Sequence, residues 1–169
     1  SLTIASGGTI VGAGYEITID GEDSSGFAVN NDGTISGNLD LEINTQASTT
    51  CDFNGTSGNF QNVKLNHASV DVHIGGDTTF DGNLTIAAGT FDCSNEGGSS
   101  RNLTVTGQIS IASGATLNCN ASTITNGSAS SNASDFDPAG NLTLGSCTFK
   151  FFCGSSGNIY LGDATLASN

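Results

Sequence analysis

Short runs in which apolar and polar residues alternate recur along the whole chain, with Leu84-Thr85-Ile86 and Ile109-Ser110-Ile111 the clearest. A period of two is that of a half-buried strand, with one face turned inward and the other to water. Leu84 and Ile86 are therefore expected to point in and Thr85 out. After such a run the chain turns at Ala-Gly or Ser-Gly and enters a second short strand. Leu103-Thr104-Val105 supplies a third before the next run opens at Ile109. No segment carries a convincing apolar stripe of period 3.6, so almost no helix is expected.

The runs belong to a repeated phrase. Leu84-Thr85-Ile86-Ala87-Ala88-Gly89-Thr90-Phe91-Asp92-Cys93 is matched by Ile109-Ser110-Ile111-Ala112-Ser113-Gly114-Ala115-Thr116-Leu117-Asn118-Cys119, and the opening Leu2-Thr3-Ile4-Ala5-Ser6-Gly7 is a third copy. Looser copies begin at Leu39, Val63, Leu142 and Ile159. Repeats spaced near 20 residues are the mark of a solenoid, in which no single winding can bury its own apolar face. The pattern predicts an all-β fold: a single-stranded, right-handed parallel β-helix with about 17–25 residues per coil, occupying residues 1–169 as one segment. Eight coils, stacked about 4.8 Å apart, would make a rod on the order of 40 Å long. Ser1-Leu2-Thr3-Ile4 reads as the middle of a pattern, so the segment is expected to be a piece of a longer chain.

Composition fits this picture. The 24 glycines and single proline leave turns to Gly, Asn, Asp and Ser, and the outward positions are Thr, Ser and Asp. The net charge of −13, with only Lys64, Arg101 and Lys150 as cations, argues against phosphate-neutralising contact with nucleic acid. No run approaches the roughly 20 apolar residues of a spanning helix, so no membrane insertion is expected. Five cysteines (Cys51, Cys93, Cys119, Cys147, Cys153) leave at least one unpaired within the chain. They read chiefly as small core hydrophobes. Cys93 and Cys119 hold matching places in two phrases, so they are expected to stack, and a disulfide there is open in an oxidising setting.

Candidate chemistry is sparse. Asp135 and Asp137, at i and i+2, would share one face of a strand, as the paired acids of glycan-cleaving enzymes could, but ordinary turn chemistry, Asp with Ser and Pro nearby, is the preferred explanation. Asp71 and His73 are expected on the outer face of one strand. Asp20, Glu22 and Asp23 form the densest acidic cluster, a weak candidate for a hard cation without EF-hand or β-roll spacing. No cofactor is expected. Segments 94–101 and 126–138 are the longest interruptions of the phrase. Their residues Ser94, Asn95, Glu96, Arg101, Asn126, Asn132, Asp135 and Asp137 are the expected ligand-contact positions.

The phrases Gly82-Asn83-Leu84-Thr85-Ile86 with Gly89-Thr90-Phe91, and Ile109 to Leu117, resemble the repeats of large β-helical surface proteins. Filamentous-haemagglutinin and autotransporter-type adhesins, and the tail fibres and tailspikes of bacteriophages, are of this kind. The resemblance covers nearly the whole chain and is specific for fold rather than function. It implies a non-enzymatic structural or adhesive protein at a virion surface or outside the cell: a fibre, spike or capsid-decorating component that recognises host glycans. The passenger region of a secreted bacterial adhesin and a glycan-active β-helix enzyme are the alternatives. The expected partners are other structural subunits or flanking segments of the same protein, a homotrimer among the assemblies, and cell-surface glycans.

Overall fold

The computed structural model describes residues 1–21, 29–46, 48–55, 57–128, 136–152 and 165–167. All the regular structure among them is strand, wound as a parallel β-solenoid of about five turns. The winding meets three faces in succession.

The first face is a six-stranded sheet. It stacks β3 (Tyr15–Gly21), β6 (Leu39–Thr45), β8 (Val63–Leu65), β11 (Leu84–Ile86), β14 (Ile109–Ile111) and β17 (Phe136–Pro138) in that order. The second face begins with the pair β1 (Leu2–Ile4) and β4 (Val29–Asn31). Asn30 bridges to Asp52 at the end of β7 (Ser48–Cys51). From β7 it continues through β9 (Asp71–Ile74), β12 (Thr90–Asp92), β15 (Thr116–Asn118), β18 (Asn141–Thr143) and β20 (Thr165–Ala167). The third face holds the pair β2 (Thr9–Val11) and β5 (Thr34–Ser36). Above it lies the sheet β10 (Thr78–Phe80), β13 (Leu103–Val105), β16 (Thr123–Asn126) and β19 (Thr148–Phe151).

Alternation sets the register. Leu41, Val63, Leu84, Ile109 and Phe136 stand over one another on the first face, with Ile43, Leu65, Ile86, Ile111 and Pro138 beside them. On the second face Val72, Phe91, Leu117 and Leu142 make a ladder. On the third, Leu103 lies against Ile124 and Ile124 against Phe149. These inward side chains form one continuous core. Slipping a strand by a single residue would turn its apolar set to water, which is why the register is unique. Phe53, Phe60, Phe80 and Phe91 fill the interior, Phe53 and Phe80 edge-on with centroids 5.2 Å apart at 81°, and Phe53 and Phe91 near-parallel at 21°. Pro138, which lacks an amide donor, stands in the last strand of its sheet among the described residues, where one ladder donor is dispensable.

The coils keep close to the expected 17–25 residues. Register partners lie 19 residues apart at the shortest (Asp71 and Thr90) and 27 at the longest (Ile109 and Phe136). The repeated phrase misleads because apolar-polar-apolar looks the same on every face. The copies at Leu39, Val63, Leu84 and Ile109 do stack, but Leu2 pairs with Val29 and Leu142 with Leu117, on the second face. The 33-residue step from Ile109 to Leu142 is thus one coil plus one face. The copy at Ile159 lies outside the described residues. The eight strands of the second face, from β1 to β20, at about 4.8 Å make it roughly 34 Å deep, near the 40 Å expected.

Candidate ligand-contact surface

A ladder of amide side chains runs up one corner of the solenoid. Asn62 donates from its backbone and side chain to Asp40 Oδ1, at 3.1 and 2.9 Å. The Asn83 amide donates to Asn62 Oδ1 at 2.9 Å, and the Gln108 amide to Asn83 Oδ1 at 2.8 Å. Each side chain accepts the corner N–H of the coil above, a donor that strand pairing leaves over, so the recurrent Asn just before a strand is structural. A second ladder joins Asp77 to Asn102 (2.8 and 3.1 Å) and Asn102 Oδ1 to the amide of Thr123 (2.9 Å). Glycine is needed where an amide crosses a coil: a Cβ on Gly107 would stand 2.3 Å from Asn83 Oδ1.

Beside the first ladder lies an open cleft of about 510 Å³ that climbs successive coils. Gln61, Asn62, Asp81, Asn83, Thr106 and Ser128 supply its polar lining, while Gly82 and Gly107 flatten the floor. Asp81 is the one charged residue lining it. Part of that polarity serves the fold, since Gln61 Nε2 and Thr106 Oγ1 both donate to the Asp81 carbonyl. Such a surface offers amides, hydroxyls and carbonyls to a neutral, hydroxyl-rich ligand.

The segment 94–101 is an ordered flap. Ser94 and Ser100 form an antiparallel bridge, Asn95 Oδ1 accepts the Ser99 amide at 2.9 Å, and the Gly98 amide donates to Asn95 O at 2.7 Å. Its tip, Glu96 to Ser99, is exposed. The Glu96 amide reaches Thr50 Oγ1 at 3.4 Å, so the flap leaves β12 and crosses β9 to β7. Arg101 Nε donates to Gly75 O at 3.0 Å.

Beneath the flap, Asp92 is buried at 9% exposure although its strand position faces outward. Ser94 Oγ (2.6 Å), Asn120 Nδ2 (2.7 Å) and Asn118 Nδ2 (3.1 Å) donate to its carboxylate, compensating the lost water. His73 stands between acids, with Nε2 3.4 Å from Asp71 Oδ2 and Nδ1 4.0 Å from Asp92 Oδ1. Asp71 and His73 do share the outer face of β9 as expected. Asp92, which closes the group, was missed because alternation says nothing of a flap folding back.

Of the other expected contact residues, Ser94 and Asn126 point away from solvent. Asn126 occupies the third-face ladder between Val105 and Phe151 and is fully buried. Its Nδ2 donates to Gly107 O at 2.6 Å, and its Oδ1 has no hydrogen-bond partner among the described residues. Asp137 is exposed on β17 opposite Ser110. Asn132 and Asp135 lie outside the described residues, as do Glu22 and Asp23. Asp20, exposed on β3, accepts from Asn44 Nδ2 at 3.3 Å. Among the described residues no cluster of three or more His, Cys, Asp or Glu is disposed to hold a metal ion.

Cys51, Cys93 and Cys119 are buried free thiols, as core hydrophobes would be, and Cys147 is a half-buried free thiol. Burial pushes the Cys51 thiol up to about 12, and holds Cys93, Cys119 and Cys147 above the ordinary thiol range.

The chain is by its architecture a β-solenoid. No protein-family model matches it, and neither the curated proteins nor the solved structures gave a match.

Proposed function

We propose that this solenoid is a structural segment of an extended surface protein, a bacteriophage fibre, spike or capsid decoration, which also docks on host glycans. The observation that carries the reading is the corner cleft, where neutral amides and hydroxyls from successive coils line one open path. A glycan chain laid along the rod would meet a similar set of donors and acceptors at each coil. Single contacts of this kind are weak, and repeated copies on a particle raise them through effective concentration. The exposed flap tip from Glu96 to Ser99 adds a second polar contact patch. The passenger region of a bacterial adhesin would use the same surface in the same way.

The test is binding of the chain, displayed in many copies on a bead or particle, to an array of neutral and acidic oligosaccharides. Binding to neutral glycans that falls at least tenfold with Gln61→Ala supports the reading. Retention of nothing by well-folded beads, or binding unchanged by Gln61→Ala, refutes the cleft. New reducing ends released from a polysaccharide would favour the enzymatic alternative over docking.

A further inference from the structure

Two polar side chains on the corner cleft keep hydrogen-bonding capacity that the fold does not use. Asp81 and Asn83 are both exposed and stand on either side of buried Gly82, which has no side chain to fill the gap between them. Asp81 Oδ1 accepts Asn59 Nδ2 at 3.1 Å, while Oδ2 has no hydrogen-bond partner among the described residues. Asn83 Oδ1 accepts the Gln108 amide at 2.8 Å, while Nδ2 has no partner among them. The neighbouring groups are more heavily committed. Asn62 gives Nδ2 to Asp40 and takes the Asn83 amide, and Gln61 Nε2 and Thr106 Oγ1 donate to the Asp81 carbonyl. The cleft lining includes Asp81 but none of Lys64, Arg101 and Lys150.

We infer that Asp81 and Asn83 form a diol-binding subsite, which makes the ligand of the cleft a neutral polysaccharide with free vicinal hydroxyls. The inference rests on the glycan-docking reading above and narrows it. One hydroxyl of the pair donates to Asp81 Oδ2, and its neighbour accepts from Asn83 Nδ2. A hydroxyl suits both partners because it carries one donor hydrogen and two acceptor lone pairs. The bond to the carboxylate is charge-assisted and the stronger of the two, so it fixes the sugar ring on the corner. Selectivity follows from what the lining lacks. A uronic acid or sulfate would bring a second anion beside Asp81 with no cation to receive it, and acylation of the donor hydroxyl would leave the carboxylate unmatched. The same corner reads Gln61-Asn62 one coil below and Thr106-Gly107-Gln108 one coil above, so the charged subsite occurs once along the cleft, flanked by neutral ones.

The test presents beads carrying many copies of the chain with dextran, mannan and galactan, and with polygalacturonate. Each neutral polymer is used before and after periodate cleavage of its vicinal diols and borohydride reduction. The expected result is retention of at least one neutral polymer, lost after periodate and weakened about tenfold by Asp81→Asn, which keeps the side-chain shape and removes the charge. The periodate comparison uses the parent chain, so it decides the matter even where Asp81→Asn fails to fold. Binding that survives periodate overturns the diol subsite and leaves the docking reading standing, as does binding lost with Gln61→Ala but unchanged in a folded Asp81→Asn chain. Polygalacturonate held more tightly than every neutral polymer overturns the subsite too. Retention of none of the polymers removes the subsite and the docking reading together.

Discussion

Replacing Leu84 with alanine probes the stacked core where it is deepest. Leu84 is fully buried, with Val63 below and Ile109 above in the same ladder. Its removal takes away about three carbon atoms and leaves a cavity between two coils that strand hydrogen bonds hold apart, so little collapse is available. Leu→Ala changes at such sites cost about 3–5 kcal/mol. For a chain of this size, 1 kcal/mol moves the thermal midpoint by roughly 2–4 °C, so a fall of roughly 6–20 °C is expected. Thr85→Ala, one residue along on the outer face, changes no core contact and should stay within about 0.5 kcal/mol. Melting of both variants beside the parent, followed by circular dichroism in the strand band, makes the comparison. Equal losses from Leu84→Ala and Thr85→Ala would refute the inward–outward assignment, as would a neutral Leu84→Ala.

The corner ladder makes its own prediction. Asn83→Ala strands the Gln108 amide and should cost about 1–2 kcal/mol in urea unfolding. Gly107→Ala should cost at least as much, because the new Cβ would displace Asn83 Oδ1, and combining it with Asn83→Ala should cost less than the sum of the two. Burial favours the neutral thiols of Cys51, Cys93 and Cys119 in the fold, so unfolding releases them to an ordinary value near 9. The stability they contribute is complete below that value and lost as pH rises from about 9 toward 12. Each thiol adds about 1.4 kcal/mol per pH unit to the fall. Chemical unfolding from pH 7 to 10.5 should show this decline, reduced in a Cys51→Ala variant; a slope unaffected by that variant would refute the assignment.

The strands were legible because a half-buried strand writes its two faces into the sequence: Leu84, Thr85 and Ile86 need no tertiary information. The turn after β11 was legible too, since Gly89 holds φ at 80°, which disfavours a side chain. What alternation does not carry is the identity of the face, so Leu2 and Leu142 were grouped with Leu84 although they stack elsewhere. Asn126 is a subtler case. Counting by twos from Ile124 already places it inside, but its polarity argued for a loop, and the burial is reconciled by the Gly107 carbonyl from the coil below. The cleft and the flap-covered Asp92 depend on which side chains from different coils meet. Residues some 20 apart in sequence meet there, and a coil length varying from 19 to 27 hides that meeting.

Through-hydrogen-bond scalar couplings measured by NMR on the labelled chain test the winding itself. Couplings are expected from the Leu41 amide to the Asn62 carbonyl, from Val63 to Asn83 and from Leu84 to Gln108, each one coil up the same face. Couplings that instead join adjacent strands of the sequence in opposite directions, such as β10 with β11, would describe hairpins and contradict the solenoid.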